Sequence, residues 1–280
     1  MTDTTIPPLV DAAWLKNRLG NATIVVLDVR TPPTGGFIPG AVHSDYATAG
    51  WRTVVGGGAG MLPDSAALEA LIGGLGISNG DHVVLVAAGA NASDMGNATR
   101  VYWTFKTLGH DAVSVLDGGF AAWVAAGGTV KPLPADRKPV AFHAHPRNDL
   151  RATLAEVEAA VAAGTTPLHD ARSAEQFAGT AKSPQARAAG TIPGAVNLDI
   201  ATLYSGAEHR FAAPDAVKAL ADQAGLPLKD QPITFCNTGH LASVSWFALS
   251  EIAGVPGVRL YDGSMSEWSA DPDRPLQSAE

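Results

Sequence analysis

Residues 27–43 read LDVRTPPTGGFIPGAVH, and this stretch decides the fold because its pattern returns in the second half of the chain. Residues 169–197 begin with HDAR and end with TIPGAVN, so an Asp-x-Arg sequence precedes an Ile-Pro-Gly-Ala-Val turn in both places. A third pair follows in the same order, with VSVLDGGFAAW at 113–123 and VRLYDGSMSEW at 258–268. Three matches in one order are improbable by chance, so the sequence predicts two copies of one domain.

Each copy alternates short apolar runs with amphipathic segments. Apolar runs bounded by Gly, Asn or Asp are typical of buried strands. The predicted strands are Ile24–Leu27, Val83–Val86, Val113–Leu116, Pro167–Asp170, Ile233–Phe235 and Val258–Tyr261. The predicted helices are Ala66–Leu75, Arg100–Leu108, Leu154–Ala163, Pro214–Ala224 and Leu241–Ala253. Strands separated by helices predict an α/β fold in which each copy has a mainly parallel central sheet flanked by helices.

The copies are joined by a segment rich in proline and charge. Residues 131–139 read KPLPADRKP, which predicts a linker over 131–148, a first copy over 8–130 and a second over 149–280. Each copy is long enough to bury a core of its own. The glycine-rich run 56–60 is not followed by Lys-Ser/Thr, so it is not a phosphate loop, and we expect a flexible surface loop there.

Composition excludes several classes of protein. The 19 Lys and Arg against 27 Asp and Glu give a net charge of −8 with no basic run, which argues against a nucleic-acid partner. No stretch of about 18 apolar residues predicts a membrane span, and the N-terminus shows no secretory pattern, so a cytoplasmic location is expected. The single cysteine excludes an intramolecular disulfide and a multi-cysteine metal site. His143 and His145 lack nearby acidic partners, so no metal is expected at this pair.

That cysteine lies where open α/β sheets place their ligand sites. Cys236 follows the apolar run 233–235 and precedes the loop NTGHL at 237–241 and a helical segment, so it leaves the carboxyl end of a predicted strand. A loop that opens a helix can direct several backbone N–H groups at one atom, which favours the nucleophilic thiolate. The alternative is a cysteine that only packs. The first copy has Ala87 at the matching place, an asymmetry that favours chemistry over packing.

Together these residues resemble the rhodanese family of sulfurtransferases, in the tandem form with an inactive N-terminal copy and a catalytic C-terminal copy. The resemblance covers residues 9–268 and includes the Asp-x-Arg strand ends, both Ile-Pro-Gly-Ala-Val turns, Cys236 with Gly239 and the YDGS of 261–264. It implies that a Cys236 persulfide takes a sulfane sulfur from thiosulfate and passes it to cyanide or another thiophilic acceptor, without a metal or organic cofactor. Loop amides would stabilise the anionic sulfur. The loop residues concerned are Asn237, Thr238, Gly239, His240, Leu241 and Ala242.

The resemblance is incomplete around the donor site. The loop CNTGHL at 236–241 differs from the CRKGVT-type and CGSGVT-type loops of better-known members, and Gln176 stands where those enzymes have an arginine. A glutamine offers dipoles and no charge, so we expect a weaker hold on an anionic donor unless Arg187 or His240 substitutes. Asp170 and Arg172 are expected to form an internal pair that shapes the pocket wall. Ser264 is expected to reach Cys236 from the loop after the next strand.

Other functions compete with this interpretation. A cysteine phosphatase needs an arginine six residues after the nucleophile, where the chain has Ala242, and is set aside. A 3-mercaptopyruvate sulfurtransferase would use the same nucleophile with another donor, and a persulfide carrier would hold sulfur without turnover. The expected partners are a small-molecule sulfur donor and a thiophilic acceptor, with a protein thiol as a further candidate acceptor. Whether the first copy supplies residues to the cleft is open, with Trp51 and Arg52 as candidates.

Overall fold

The computed structural model describes residues 6–278 and divides into two compact units. Unit 1 comprises the chain up to Trp51, Pro63–Arg147 and Gly206–Arg210, and unit 2 comprises Arg52–Leu62, Asn148–Ser205 and the chain from Phe211. Each unit therefore includes a short segment from the other half of the sequence. Positions 1–5 of the stretch examined for a secretory signal, and positions 279–280 of the predicted second copy, lie outside the described residues.

Short strands and helices alternate along the chain. The strands are β1 (Leu9–Val10), β2 (Ile24–Asp28), β3 (Val42–His43), β4 (Thr53–Val55), β5 (Gly58–Met61), β6 (His82–Val86), β7 (Val113–Leu116), β8 (Leu168–Asp170), β9 (Ala195–Asn197), β10 (Tyr204–Ser205), β11 (Arg210–Phe211), β12 (Ile233–Phe235) and β13 (Arg259–Leu260). The α-helices are α1 (Ala12–Lys16), α2 (Ser65–Gly74), α3 (Ala92–Thr107), α4 (Gly119–Ala125), α5 (Leu154–Ala163), α6 (Ala174–Ala178), α7 (Pro214–Gln223), α8 (His240–Trp246) and α9 (Ser264–Trp268). Two 3₁₀ turns, Ile200–Thr202 and Leu228–Asp230, lie in the second half.

The sheet of unit 1 has the order β1-β7-β6-β2-β3, and all of its strand pairs are parallel. The predicted strands agree with β2, β6 and β7. Helix α3 begins at Ala92, well before the predicted start at Arg100. The side chain of Asn91 caps it by accepting the Asp94 N–H at 3.0 Å, and its first turns are too polar to show an apolar period.

The sheet of unit 2 has the order β13-β12-β8-β9, again with every pair parallel. Helix α5 has the predicted bounds because Thr153 and Glu156 form a capping box at its start and Gly164 ends it in the left-handed conformation. The helix predicted over Leu241–Ala253 is divided, since α8 passes into the π-helical turn Phe247–Ile252. Both units thus have the predicted α/β architecture.

The predicted flexible loop at 56–60 is wrong for its last three positions. Gly58 is buried and begins β5, which pairs antiparallel with β4 to form a hairpin. Only Gly56 and Gly57 form the exposed turn. The glycines permit close packing within unit 2. The glycine-rich composition taken alone had indicated a flexible loop.

The predicted linker runs along unit 1, which extends to Arg147. Its backbone N–H groups bond to unit 1 carbonyls at Val140 to Gly73 (3.0 Å) and His145 to Leu108 (2.8 Å). The boundaries 8–130, 131–148 and 149–280 stay a prediction. Among residues 6–278, no helix has the length and apolar character needed to cross a membrane.

Candidate active site

Cys236 lies directly after β12, a strand bordered by β13 and β8 in unit 2. It therefore leaves the carboxyl end of a central strand, the edge at which parallel sheets hold their ligands. Only 1% of the surface of Cys236 is accessible to solvent, so a sulfur donor must pass between the residues of the loop to reach the thiol. The position matches the one expected from the sequence.

A hydroxyl group from a neighbouring loop holds the backbone around this cysteine. Ser264 Oγ accepts the N–H of Cys236 at 3.0 Å and of Gly239 at 3.1 Å, and it donates to the Tyr261 carbonyl at 2.8 Å. Ser264 is fully buried and has a φ of 50°, a conformation that costs a non-glycine residue roughly 1–2 kcal/mol. The structure thus brings the predicted supporting residue Ser264 to the loop backbone.

Two further bonds join the loop to α9. The N–H groups of Met265 and Ser266 donate to the carbonyls of Cys236 at 3.0 Å and Asn237 at 2.9 Å. These bonds leave the first residues of the loop little conformational freedom.

The rest of the loop leads into α8. Gly239 has a φ of 71° and immediately precedes the helix, and its N–H is engaged by Ser264. This amide is therefore not available to stabilise the sulfur, although the sequence had placed it among the loop amides expected to do so. The N–H groups of Leu241 and Ala242 lie in the first turn of α8, where no acceptor exists within the helix and the N–H bonds point toward its N-terminal end.

Unit 1 contains the same scaffold without the reactive groups. Phe120 donates to the Ala87 carbonyl at 2.8 Å and Ala121 to the Ala88 carbonyl at 3.0 Å, matching the two bonds from α9. Gly119 takes the place of Ser264, and a Cβ on it would collide with the Ala87 carbonyl. The first copy therefore lacks the thiol, the hydroxyl and the space that the hydroxyl requires.

Asp170 and Arg172 form the expected internal pair. Both are buried, and Arg172 Nη2 lies 2.5 Å from Asp170 Oδ2. Thr191 Oγ1 also donates to Asp170 at 2.7 Å, and Arg172 donates to the Gly190 carbonyl at 2.9 Å. These partners hold the guanidinium in a fixed position inside unit 2, and its place in the pocket wall stays a prediction.

Two titratable groups near β12 are held neutral, His169 on β8 and Tyr261 directly after β13. Burial lowers the pKa of His169, whose Nε2 lies 3.1 Å from the Leu198 carbonyl. Burial, and then the negative charge of Glu267, raise the pKa of Tyr261. Neither side chain therefore carries a charge near neutral pH.

The sequence profile of the rhodanese-like domain matches residues 11–126 and again 153–271. The chain belongs to the rhodanese family. A Saccharopolyspora erythraea protein provisionally named a thiosulfate sulfurtransferase is 30% identical over 280 residues, 96% of each chain. A Pseudomonas aeruginosa protein provisionally named a 3-mercaptopyruvate sulfurtransferase is 34% identical over 97% of this chain and 98% of its own.

Solved structures agree with this assignment. The crystal structure of SseA from Escherichia coli, described with the 3-mercaptopyruvate sulfotransferases, is similar with a TM-score of 0.81 at 25% identity, over 92% of this chain and 99% of that one. This chain therefore shares its tandem arrangement of rhodanese-like domains with that structure.

In this rhodanese the predicted donor-binding residues are only partly brought together. Gln176 Oε1 accepts a bond from Asn237 Nδ2 at 2.9 Å, so the glutamine does reach the loop. Asn237 Oδ1 is buried and has no hydrogen-bond partner among the described residues. The two amide side chains are therefore joined to each other at the residue that follows Cys236.

The candidate substitute cations lie at different places. Arg187 is exposed and its Nη1 donates to the Ala270 carbonyl at 3.0 Å, near the C-terminal segment. His240 is half-buried as the first residue of α8. Of the two, only His240 belongs to the loop after the nucleophile.

Sequence reasoning missed the residues that cover this loop. The hairpin β4–β5 lies in unit 2, where Gly60 packs against Thr238 and Ala59 bonds to Ser266. Trp51, one of the proposed cleft residues, is instead buried in unit 1, with its Nε1 donating to Ser44 at 2.9 Å. The glycine-rich run was the available signal, since repeated glycines also mark places where two backbones approach closely.

A cavity of about 470 Å³ in unit 2 lies elsewhere. Thr166, Pro193 and Asp230 are among its lining residues, and they precede β8, β9 and β12. It therefore lies at the amino ends of the strands, opposite Cys236, and has no part in the chemistry derived from the loop.

Proposed function

We propose that the protein is a thiosulfate sulfurtransferase that works through a persulfide on Cys236. The observation that carries the proposal is the contrast between the copies. The one with a thiol also has the Ser264 hydroxyl that orders the loop, and the one without it has Ala87 and Gly119. A cysteine kept only for packing would not require a matching hydroxyl in the next loop.

The chemistry has two displacement steps. The Cys236 thiolate attacks the sulfane sulfur of thiosulfate, a new S–S bond forms, and sulfite leaves with the electron pair of the broken S–S bond. Cyanide or another thiophile then attacks the outer sulfur and returns the thiolate. One covalent intermediate divides the transfer into two easier steps. The amides of the first turn of α8, aimed at the loop, would stabilise the negative charge on the outer sulfur.

A 3-mercaptopyruvate donor is the second candidate, and a specific observation favours it. The Gln176–Asn237 pair supplies dipoles and no fixed cation, which suits a monoanion better than the dianion thiosulfate. The Pseudomonas aeruginosa relative bears that name. With this donor, the C–S bond breaks and pyruvate leaves as its enolate, which then takes a proton.

A donor screen read by intact mass tests the proposal. Thiosulfate, 3-mercaptopyruvate and polysulfide are each incubated with the protein, and an adduct of about 32 Da, one sulfur atom, is sought on Cys236. Thiocyanate formation on adding cyanide then measures turnover.

The matched control is Cys236→Ser. We expect it to fold and to form neither adduct nor thiocyanate. Thiocyanate production that survives this substitution would show the mechanism to be wrong. Loading without turnover, followed by a single transfer to a protein thiol, would instead indicate a persulfide carrier. Cytoplasmic location and the natural acceptor stay predictions.

A further inference from the structure

The β4–β5 hairpin comes from the first half of the sequence but forms part of unit 2. It is attached through backbone bonds. Leu62 N–H donates to Asp262 Oδ2 at 2.7 Å, and Ala59 N–H donates to Ser266 Oγ at 3.0 Å. The Ser266 hydroxyl itself has the Gly263 carbonyl at 2.7 Å as its nearer acceptor and the Ala59 carbonyl at 3.2 Å. Asp262 and Ser266 follow β13, next to the serine that orders the Cys236 loop. The hairpin is therefore anchored to the segment that holds the nucleophile.

Gly60 is the point where the hairpin contacts the loop itself. A Cβ at this position would collide with the Thr238 carbonyl oxygen and would lie 2.9 Å from Thr238 Cβ. Real Cβ atoms essentially never approach a neighbour that closely, and a backbone carbonyl cannot rotate away. Gly60 also has a φ of 81°, which glycine adopts without strain. The loop is thus packed against Gly60 at Thr238 and bonded to Ser264 at Cys236 and Gly239.

Ser266 connects these two contacts. Its N–H donates to the Asn237 carbonyl at 2.9 Å while its hydroxyl bonds to Ala59. A displacement of the hairpin is therefore passed directly to the second residue of the loop.

Unit 1 repeats the arrangement with a segment from the other half of the sequence. The turn 206–210 lies on the loop that follows β6, where His209 Nδ1 lies 3.0 Å from the Gly89 carbonyl. A Cβ on Gly206 would collide with the Ala90 carbonyl. Because the contact recurs at the equivalent loop, it is a feature of the domain fold in both units.

We propose that the β4–β5 hairpin sets the reactive conformation of the Cys236 loop, with Gly60 and Ser266 as positioning residues. The inactive copy would in this way contribute to catalysis through a segment that reaches the loop of the active one. This inference rests on the proposed sulfur transfer. A loop held from both sides keeps its amides aimed at the sulfur, and misplacement by about 1 Å can cost a reaction about a hundredfold.

The test compares two glycines of the same hairpin. Gly56 has a φ of 57°, and a Cβ added to it would meet nothing within 4 Å, so Gly56→Ala strains the backbone and touches nothing. Gly60→Ala adds the collision with Thr238. We expect Gly60→Ala to lower kcat by about 10- to 100-fold with a smaller change in KM, and Gly56→Ala to keep both within about twofold.

A second pair of variants guards against misfolding of Gly60→Ala. Ser266→Ala removes the hydroxyl that holds Ala59 and leaves the backbone free of a collision. Its control is Ser269→Ala, a buried serine just after α9 whose hydroxyl donates to Met265 and makes no bond to the hairpin. We expect Ser266→Ala to lower kcat as Gly60→Ala does, and Ser269→Ala to keep it as Gly56→Ala does.

Hydrogen exchange of the peptide covering 233–242 reads the loop without relying on activity. Exchange should accelerate in Gly60→Ala and Ser266→Ala and stay at the wild-type rate in both controls. Equal exchange and equal kcat in each variant and its control would overturn the proposal, as would faster exchange with unchanged kcat. If the wild-type protein moves no sulfur from any donor, the proposed function fails while the exchange comparison still decides whether the hairpin orders the loop.

Discussion

Removing the Ser264 hydroxyl should destabilise the protein by an amount that the structure allows us to work out. The group accepts two buried N–H bonds, from Cys236 and Gly239. A buried donor left without an acceptor costs about 1–3 kcal/mol, so Ser264→Ala should lower the free energy of unfolding by at least about 2 kcal/mol. Ser264→Gly loses the same bonds but relieves the φ of 50°. That relief is worth roughly 1–2 kcal/mol, and the extra chain entropy of glycine offsets about 0.5–1 kcal/mol of it.

The Gly variant should therefore be more stable than the Ala variant, by up to about 1.5 kcal/mol. Urea unfolding of the wild type and both variants measures the difference, with constant m-values as the check that only stability has changed. Sulfur transfer should fall in both variants, because the loop loses the group that orders it. The reasoning is refuted if Ser264→Ala lies within about 0.5 kcal/mol of wild type, or if Ser264→Gly is the less stable of the two.

Three other predictions concern Ala87, Asp170 and His82. Ala87→Cys in a Cys236→Ser background should form no thiocyanate, since the first copy lacks both the ordering hydroxyl and room for it; activity in the double variant would contradict this. Asp170→Asn should destabilise by about 3–5 kcal/mol, because it leaves the buried Arg172 guanidinium without its countercharge, and urea unfolding close to wild type would count against it. Burial, and then the charge of His110, lower the pKa of His82 to about 4 in the folded protein. The unfolded chain therefore binds the proton more readily than the folded one. The free energy of unfolding should decrease as pH falls from about 6.5 toward about 4. His82→Gln should flatten that slope, and an unchanged slope would exclude His82 as the cause.

Much of the fold could be predicted because its signals are local. Buried parallel strands give mostly apolar runs, which is why β2, β6, β7 and β12 lie where the sequence placed them. Helix α3 was predicted too short because a polar first turn with a good cap has no apolar period. The π-helical turn Phe247–Ile252 carries no sequence pattern that distinguishes it from the α-helix it continues.

The candidate site likewise has features that the sequence shows and features that it does not show. Cys236 could be found because a strand, a lone thiol, a glycine and a helix follow one another along the chain. The engagement of Gly239 N–H by Ser264 depends on a serine 25 positions away in the sequence, so counting loop residues overestimated the amides available to sulfur.

Two copies of a parallel α/β domain, with a thiol in one of them, can be recognised in the amino-acid sequence alone. Turns, strands and caps are built from neighbours in the chain, so their residues stand side by side in the sequence. The folded structure was needed to place the hairpin of residues 53–61 with the Cys236 loop and to show that position 60 must hold a glycine there. Leu62 and Asp262 are 200 positions apart, and contacts at such distances along the chain arise from packing and leave no periodic pattern or motif in the sequence.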